Sequence, residues 1–290
     1  MAGCAGRRPV HLGVNETLNA LIMLTGGVFA GALGSITGLG GGVIIVPMLS
    51  LIFGVPLREA IGVSLISIIA TSSGAATRFL GSGFTNLRAG TFLQIAASAG
   101  AVLGALASGR VGAKWLTIIF GVVLLYSAYG ALSARASDET GASEESPGAR
   151  ALRLGGVYRV NDATVAYKVT NVPAGFAVMV LAGFLSALLG IGSGAFKVLA
   201  MDRLMRFPFK VSTATSNFMI GVTAATSAGF YLTAGLVPPL VAGPIVLGVL
   251  AGSNLGARAL TRLPVRALRL TFAGVLSVVA LQMLVKGAGL

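Results

Sequence analysis

The chain has little of what catalysis or disulfide-bonded architecture requires. It holds one cysteine, Cys4, so no intrachain disulfide can form, and one histidine, His11, near its start. Only 8 of its 290 residues are Asp or Glu, and none lies deep in an apolar stretch. That removes a metal centre of clustered Cys, His and carboxylates and an acidic proton relay or sodium site within a membrane. It also leaves no activated nucleophile or acid–base pair. Neither an enzyme nor a cofactor is expected. Lys and Arg total 21, for a net charge of +13. The cations fall between apolar runs and form no basic module that could fold alone, so nucleic acid is not an expected partner.

What the chain does have is apolar length. Hydrophobic residues make up 55% and charged residues 10%, against roughly 25% charged in soluble domains; mean hydropathy is +0.91. Stretches near the roughly 20 residues that span a bilayer run from Leu18 to Thr37, Ala60 to Leu80, Thr91 to Ser108 and Leu116 to Leu132. A second set runs from Ala174 to Leu189, Ser212 to Leu232, Val237 to Leu255 and Leu268 to Val285. The 42 glycines suit helices whose backbones touch in lipid. The partner is the lipid bilayer. Arg7 and Arg8 precede no small-residue cleavage site, so Leu18 onward reads as a first membrane helix and not as a removable signal.

The second set repeats the first. Residues 30–124 align without a gap to 182–276 at a spacing of 152, with about 23 identities in some 95 pairs. Gly38-Leu39-Gly40-Gly41-Gly42 lies over Gly190-Ile191-Gly192-Ser193-Gly194, Ser64 over Ser216 and Thr71 over Thr223. The fold class is therefore an all-α integral membrane protein of two homologous repeats, each of about four transmembrane helices, with glycine-broken or re-entrant helices at the core. The expected division is a tail over 1–16, a first repeat over 17–134, a linker over 135–172 and a second repeat over 173–290. In the linker, Val157 to Val160 and Thr164 to Val169, flanking Asn161-Asp162, read as a β-hairpin outside the membrane. Basic loops at Arg58, at Arg110 and Lys114, at Arg203, Arg206 and Lys210, and at Arg258, Arg262, Arg266 and Arg269 are expected on the cytoplasmic side. That arrangement requires eight crossings, parallel repeats and an external linker. Ten helices with inverted repeats are the alternative if Val43 to Phe53 and Ala195 to Met205 span.

Irregular backbone at membrane depth survives only inside protein or beside a cavity. The candidate binding site is accordingly the two breaks, Gly38, Gly40, Gly41 and Gly42 with Gly190, Gly192, Ser193 and Gly194. Each opens a short apolar segment whose free N–H groups favour an anion. Close packing of glycine is the plainer reading. Ser64 and Thr71, seven apart on one helix face, and Ser216, Asn217 and Thr223 on the other offer neutral donors to an oxyanion, unless they merely bond back to helix carbonyls. Lys197 stands in an apolar segment where its repeat partner is Ile45. It compensates a bound anion, or snorkels, or pairs with Asp202. Arg78 and Asp202, near helix ends, are weaker candidates.

The run Gly38-Leu39-Gly40-Gly41-Gly42-Val43-Ile44-Ile45-Val46-Pro47, with Gly54-Val55-Pro56 and Ala60-Ile61-Gly62-Val63-Ser64-Leu65, resembles the TauE/SafE sulfite exporter family. Gly190-Ile191-Gly192-Ser193-Gly194 through Pro208 and Ala214-Thr215-Ser216-Asn217-Phe218 resembles that family's second repeat. Ser193 stands where glycine is expected, and Pro47 has no counterpart at Leu199. The resemblance covers roughly residues 20–285. It implies multi-pass transport of a small anion, a sulfur oxyanion or organosulfonate such as sulfite, sulfoacetate or a thiosulfate-like ion, across the cell membrane by alternating access. A passive anion channel and a non-transporting membrane assembly protein are the alternatives; oligomeric state is left open.

Overall fold

The computed structural model describes residues 16–38, 40–133, 145–160, 163–190, 192–262 and 264–288. Cys4, Arg7, Arg8, His11, Leu39, Ile191, the hairpin tip Asn161-Asp162 and the acidic stretch through Glu144 lie outside them. The first half contains α1 (Glu16–Thr37), α2 (Gly42–Pro47), α3 (Leu57–Ser82), α4 (Leu87–Ser108) and α5 (Ala113–Ser133). A short α6 (Pro147–Ala151) and strands β1 (Gly156–Val160) and β2 (Ala163–Tyr167) follow. The second half contains α7 (Val172–Leu189), α8 (Gly194–Leu199), α9 (Phe209–Thr233), α10 (Pro239–Arg262) and α11 (Val265–Ala288). Element starts keep the 152-residue spacing seen in the sequence, so that α2 and α8, α3 and α9, and α4 and α10 begin at equivalent residues.

Local chemistry sets these boundaries. Asn86 caps α4 by accepting from the Ala89 N–H, and Ser146 caps α6 at Ala149. Gly83 and Gly190 end α3 and α7 in the left-handed conformation that glycine adopts at little cost. After α2 and α8 the helix widens to π geometry over Met48–Ile52 and Ala200–Leu204. Pro47 is not the cause, because Leu199 at the equivalent place gives the same transition. Both π segments close alike: the Val55 N–H donates to the Leu49 carbonyl, and the Phe207 N–H to that of Met201.

Among the described residues, five helices are long and apolar enough to cross a membrane: Thr17–Thr37, Leu57–Gly81, Leu87–Ser108, Val172–Leu189 and Pro239–Ala259. The side-chain distribution suits lipid. Phe29, Ile95, Leu106, Leu240 and Leu247 point outward, whereas Ser64, Ser67, Thr71, Lys197, Ser216, Asn217 and Thr223 are fully buried. This is a multi-pass membrane protein with polar groups at its centre.

The short segments do not span; they return. Beyond the break, α2 runs back along α1, so that Gly41 lies against Ala30 and Met48 reaches Gly26. Likewise α8 runs back along α7, where Met205 lies on Gly175 and accepts from the Thr170 N–H. Each half therefore opens with a re-entrant helical hairpin. The major helix contacts are all between halves, α1 with α10, α4 with α7, α3 with α9 and α5 with α11. Glycine makes them close: Gly252 and Gly256 meet the carbonyls of Val28 and Ala32, and Gly100 and Gly104 those of Val180 and Phe184.

These contacts give direction, and they overturn the parallel arrangement. Gly62 near the start of α3 touches Leu236 beyond the end of α9, while Ser72 meets Gly221, so α3 and α9 are antiparallel. Gly121 with Leu284 and Gly287 with Ile118 make α5 and α11 antiparallel too. Helices at equivalent places in the two halves thus run in opposite senses, and the relation between halves is an inversion across the membrane plane. The parallel expectation counted four crossings per half; with the hairpin returning to its own side, the count after it is three, which is odd. Basic loops at equivalent positions consequently lie on opposite faces, not together. Arg58, which donates to the carbonyls of Gly109 and Val111, shares one face with Arg110 and Lys114. Arg203, Arg206, Lys210, Arg258 and Arg266 belong to the other.

The linker sits on that second face. Strands β1 and β2 pair antiparallel with Gly156 opposite Tyr167, as the hairpin reading expected. Asn86, in the α3–α4 turn, donates to the Leu154 carbonyl and the Tyr167 hydroxyl, and Tyr167 packs on Phe207 ahead of α9. Burial pushes the Tyr167 phenol above its ordinary pKa.

Gly100→Val and Gly183→Val would each place a side chain in the α4–α7 contact. We expect either to lower stability in detergent by about 1–3 kcal/mol, read as a depressed unfolding temperature. Gly109→Ala, which meets open space, should leave that temperature unchanged.

Candidate anion site

Two hairpin tips meet where α3 crosses α9. Gly38, Gly40 and Gly41 all have φ near +75°, as do Gly190 and Gly192 near +67°, so the chain turns through backbone that side chains resist. Ser193 takes the same left-handed conformation at φ 50° opposite Gly41, and its hydroxyl donates to the Gly192 carbonyl. Gly40 and Gly192 lie on the same two side chains, Ile68 and Ile220, themselves equivalent residues. Gly42 has room for no Cβ: one would stand 2.6 Å from the Gly190 carbonyl oxygen.

The serine pair holds the tips together. Ser64 Oγ donates to the Gly190 carbonyl at 2.6 Å, and Ser216 Oγ to the Gly38 carbonyl at 3.1 Å, with a longer contact to Gly194 at 3.5 Å. Each half thus satisfies the broken backbone of the other. Thr71 Oγ1 donates to the Ser67 carbonyl of its own helix. Asn217 donates through Nδ2 to the carbonyls of Ser35 and Thr213, while its Oδ1 is buried and unbonded. The hydroxyls of Ser35 and Thr213, beside the same tip, are likewise buried without partners.

Lys197 is 0% exposed. Its Nζ donates to Thr223 Oγ1, which also receives Gln94 Nε2 at 3.1 Å and donates to the Met219 carbonyl at 3.0 Å. Gln94 Nε2 continues to Ser98 Oγ at 2.8 Å. Among the described residues no carboxylate lies in salt-bridge range of Lys197; Asp202 does not pair with it and the lysine does not snorkel outward. The sequence reading named Lys197 and Thr223 but missed Gln94 and Ser98. A lone amide within the apolar run of α4 was the available signal, and its repeat partner Val246 hides it from any comparison of the halves. The chemistry is one-sided: Ile45 and Val246 stand where Lys197 and Gln94 do in the other half.

The fold and this centre define an integral membrane protein of two inverted halves enclosing a buried lysine and neutral hydrogen-bonding groups. The family model described as Sulfite exporter TauE/SafE matches residues 23–283, and the chain belongs to that family of membrane transporters. It is 29% identical over 281 residues, covering 93% of this chain and 99% of the relative, to Probable membrane transporter protein YunE of Bacillus subtilis (strain 168). It is 25% identical to Probable membrane transporter protein YdhB of the same organism, over 84% of this chain and 90% of that one. Probable membrane transporter protein ORF9 of a Sinorhizobium species is 27% identical over 79% of this chain and 78% of its own length. No solved structure matches.

Ser64→Ala and Ser216→Ala each leave a buried break carbonyl without its donor. Each should cost about 1–3 kcal/mol, measured by thermal unfolding. Thr71→Val, which loses only a bond within α3, should cost clearly less.

Proposed function

We propose that this chain carries a small sulfur oxyanion or organosulfonate across the cell membrane, holding it against Lys197, Thr223 and Gln94 beside the two hairpin tips. The observation that carries the reading is a fully buried lysine with no carboxylate partner among the described residues. A cation in an apolar segment costs a few kcal/mol or more unless charge is supplied. An anion supplies it, and the two Nζ protons not engaged by Thr223 are free to bind its oxygens. Thr223, Gln94 and Ser98 surround the amine with hydrogen-bonding groups that bear no fixed charge, which favours release. Sulfur enters through the family's description; the geometry asks only for a compact oxyanion.

Inverted halves that meet at re-entrant tips favour alternating access, because exchanging the conformations of two equivalent halves opens the site to the opposite side. Transport, and not catalysis, also accords with the names of the relatives. For orientation, the face bearing the linker carries Arg78, Arg88, Arg203, Arg206, Lys210, Arg258 and Arg266 as well as the linker's own cations, against Arg58, Arg110 and Lys114 on the other. By the positive-inside rule the linker face is cytoplasmic.

Two measurements test this. Lys197→Met should abolish flux of sulfite, sulfonates and thiosulfate into proteoliposomes, and abolish the thermal stabilisation those anions give, while the protein remains folded. Normal flux in that variant would refute the assigned role. Cysteines placed at Arg153 and Lys114 should be labelled by a membrane-impermeant maleimide only from the cytoplasm and only from outside, respectively; the reverse pattern would invert the orientation.

A further inference from the structure

We propose that Lys197 is an uncharged amine in the empty transporter and takes up one proton with each anion, so that the protein is a proton–anion symporter. The inference rests on the anion site proposed above and adds its coupling ion. The lysine is sealed from water, and its hydrogen-bond partner is the neutral hydroxyl of Thr223. An ammonium there, without an anion, would be a buried charge with nothing to balance it. The amine form avoids that cost.

No neighbouring element supplies the balance. Against α8 pack α7, α9, α5 and the π segment that follows it. Helix α7 contains no titratable residue. Helix α9 brings Lys210 and Tyr231, α5 brings Lys114, Tyr126 and Tyr129, the π segment brings Asp202 and Arg203, and α4, which reaches the site through Gln94, brings Arg88. Among the described residues none of these hydrogen-bonds or ion-pairs with Lys197. Asp202 is five residues away in sequence and has interactions of its own. The charge that stabilises an ammonium must therefore arrive with the substrate.

The step balances simply. The amine, a proton and a monoanion become an ammonium hydrogen-bonded to the anion, with no net charge added to the site. On the far side the anion leaves, the ammonium loses its counter-charge, and its proton passes to water. A monovalent anion is thereby carried without moving charge, whereas a divalent anion carries one negative charge per cycle.

Proteoliposomes holding a pH dye and a potential dye test the proposal with methanesulfonate and thiosulfate, whose charges are fixed throughout the neutral range. An inward methanesulfonate gradient should acidify the lumen by one proton per anion and develop no potential. Thiosulfate should acidify it equally per anion and develop a negative-inside potential. Flux of both anions without acidification would overturn the coupling and leave the anion site standing. Absence of flux for both, with no thermal stabilisation by either, would overturn the site and the coupling together. Lys197→Arg, charged at every working pH, should uncouple the two, with anions stabilising the protein equally across pH and no proton uptake. Should that variant fail to fold, the proton-to-anion ratio of the unaltered protein decides the matter alone.

Discussion

Backbone that leaves the helix within a membrane must find hydrogen-bond partners inside the protein, and this molecule is organised around that constraint. Each half breaks at a glycine cluster, and the carbonyls freed at Gly38 and Gly190 accept from Ser216 and Ser64 of the opposite half. The exchange is reciprocal, so neither break is satisfied without the other half in place. Interlocking follows from it: α1 lies on α10 and α4 on α7 through glycine contacts too close for a side chain. The halves share the spacing of their elements but cannot be independent bodies in space.

The inversion and the buried lysine draw on the same centre. Because the hairpins return to the side they entered from, equivalent helices run oppositely, and both tips converge on Ile68 and Ile220. Symmetry there extends to the backbone and the serines. It stops at the side chains that carry amine and amide, where Lys197 faces Thr223 and Gln94 while the other half presents Ile45, Thr71 and Val246. A symmetric frame thus holds one asymmetric polar cluster.

Much of this was legible in the chain. The breaks showed as Gly38 to Gly42 and Gly190 to Gly194, the segments after them as short apolar runs, and the linker hairpin as two β-prone stretches. The relative direction of the halves was not, because it turns on whether a segment of about a dozen residues crosses or returns, and its length permits either. The contact of Met48 with Gly26 settles that in space and leaves no trace in composition. The positive-inside reading failed with it, since it assumed equivalent basic loops share a face. Lys197 was legible because a cation among apolar neighbours is costly anywhere. Gln94 was not, because an amide in a helix is ordinary until a partner from another helix is known.

The central claim is that the substrate anion rests on Lys197, and the most direct measurement is a structure of the protein soaked with selenate, whose selenium is located by its anomalous scattering. The account predicts one selenium site, with a selenate oxygen within about 3 Å of Lys197 Nζ and a second oxygen near Thr223 or Gln94. Selenate bound only at the exposed arginines of either face, with Lys197 still bonded to Thr223 alone, would contradict it.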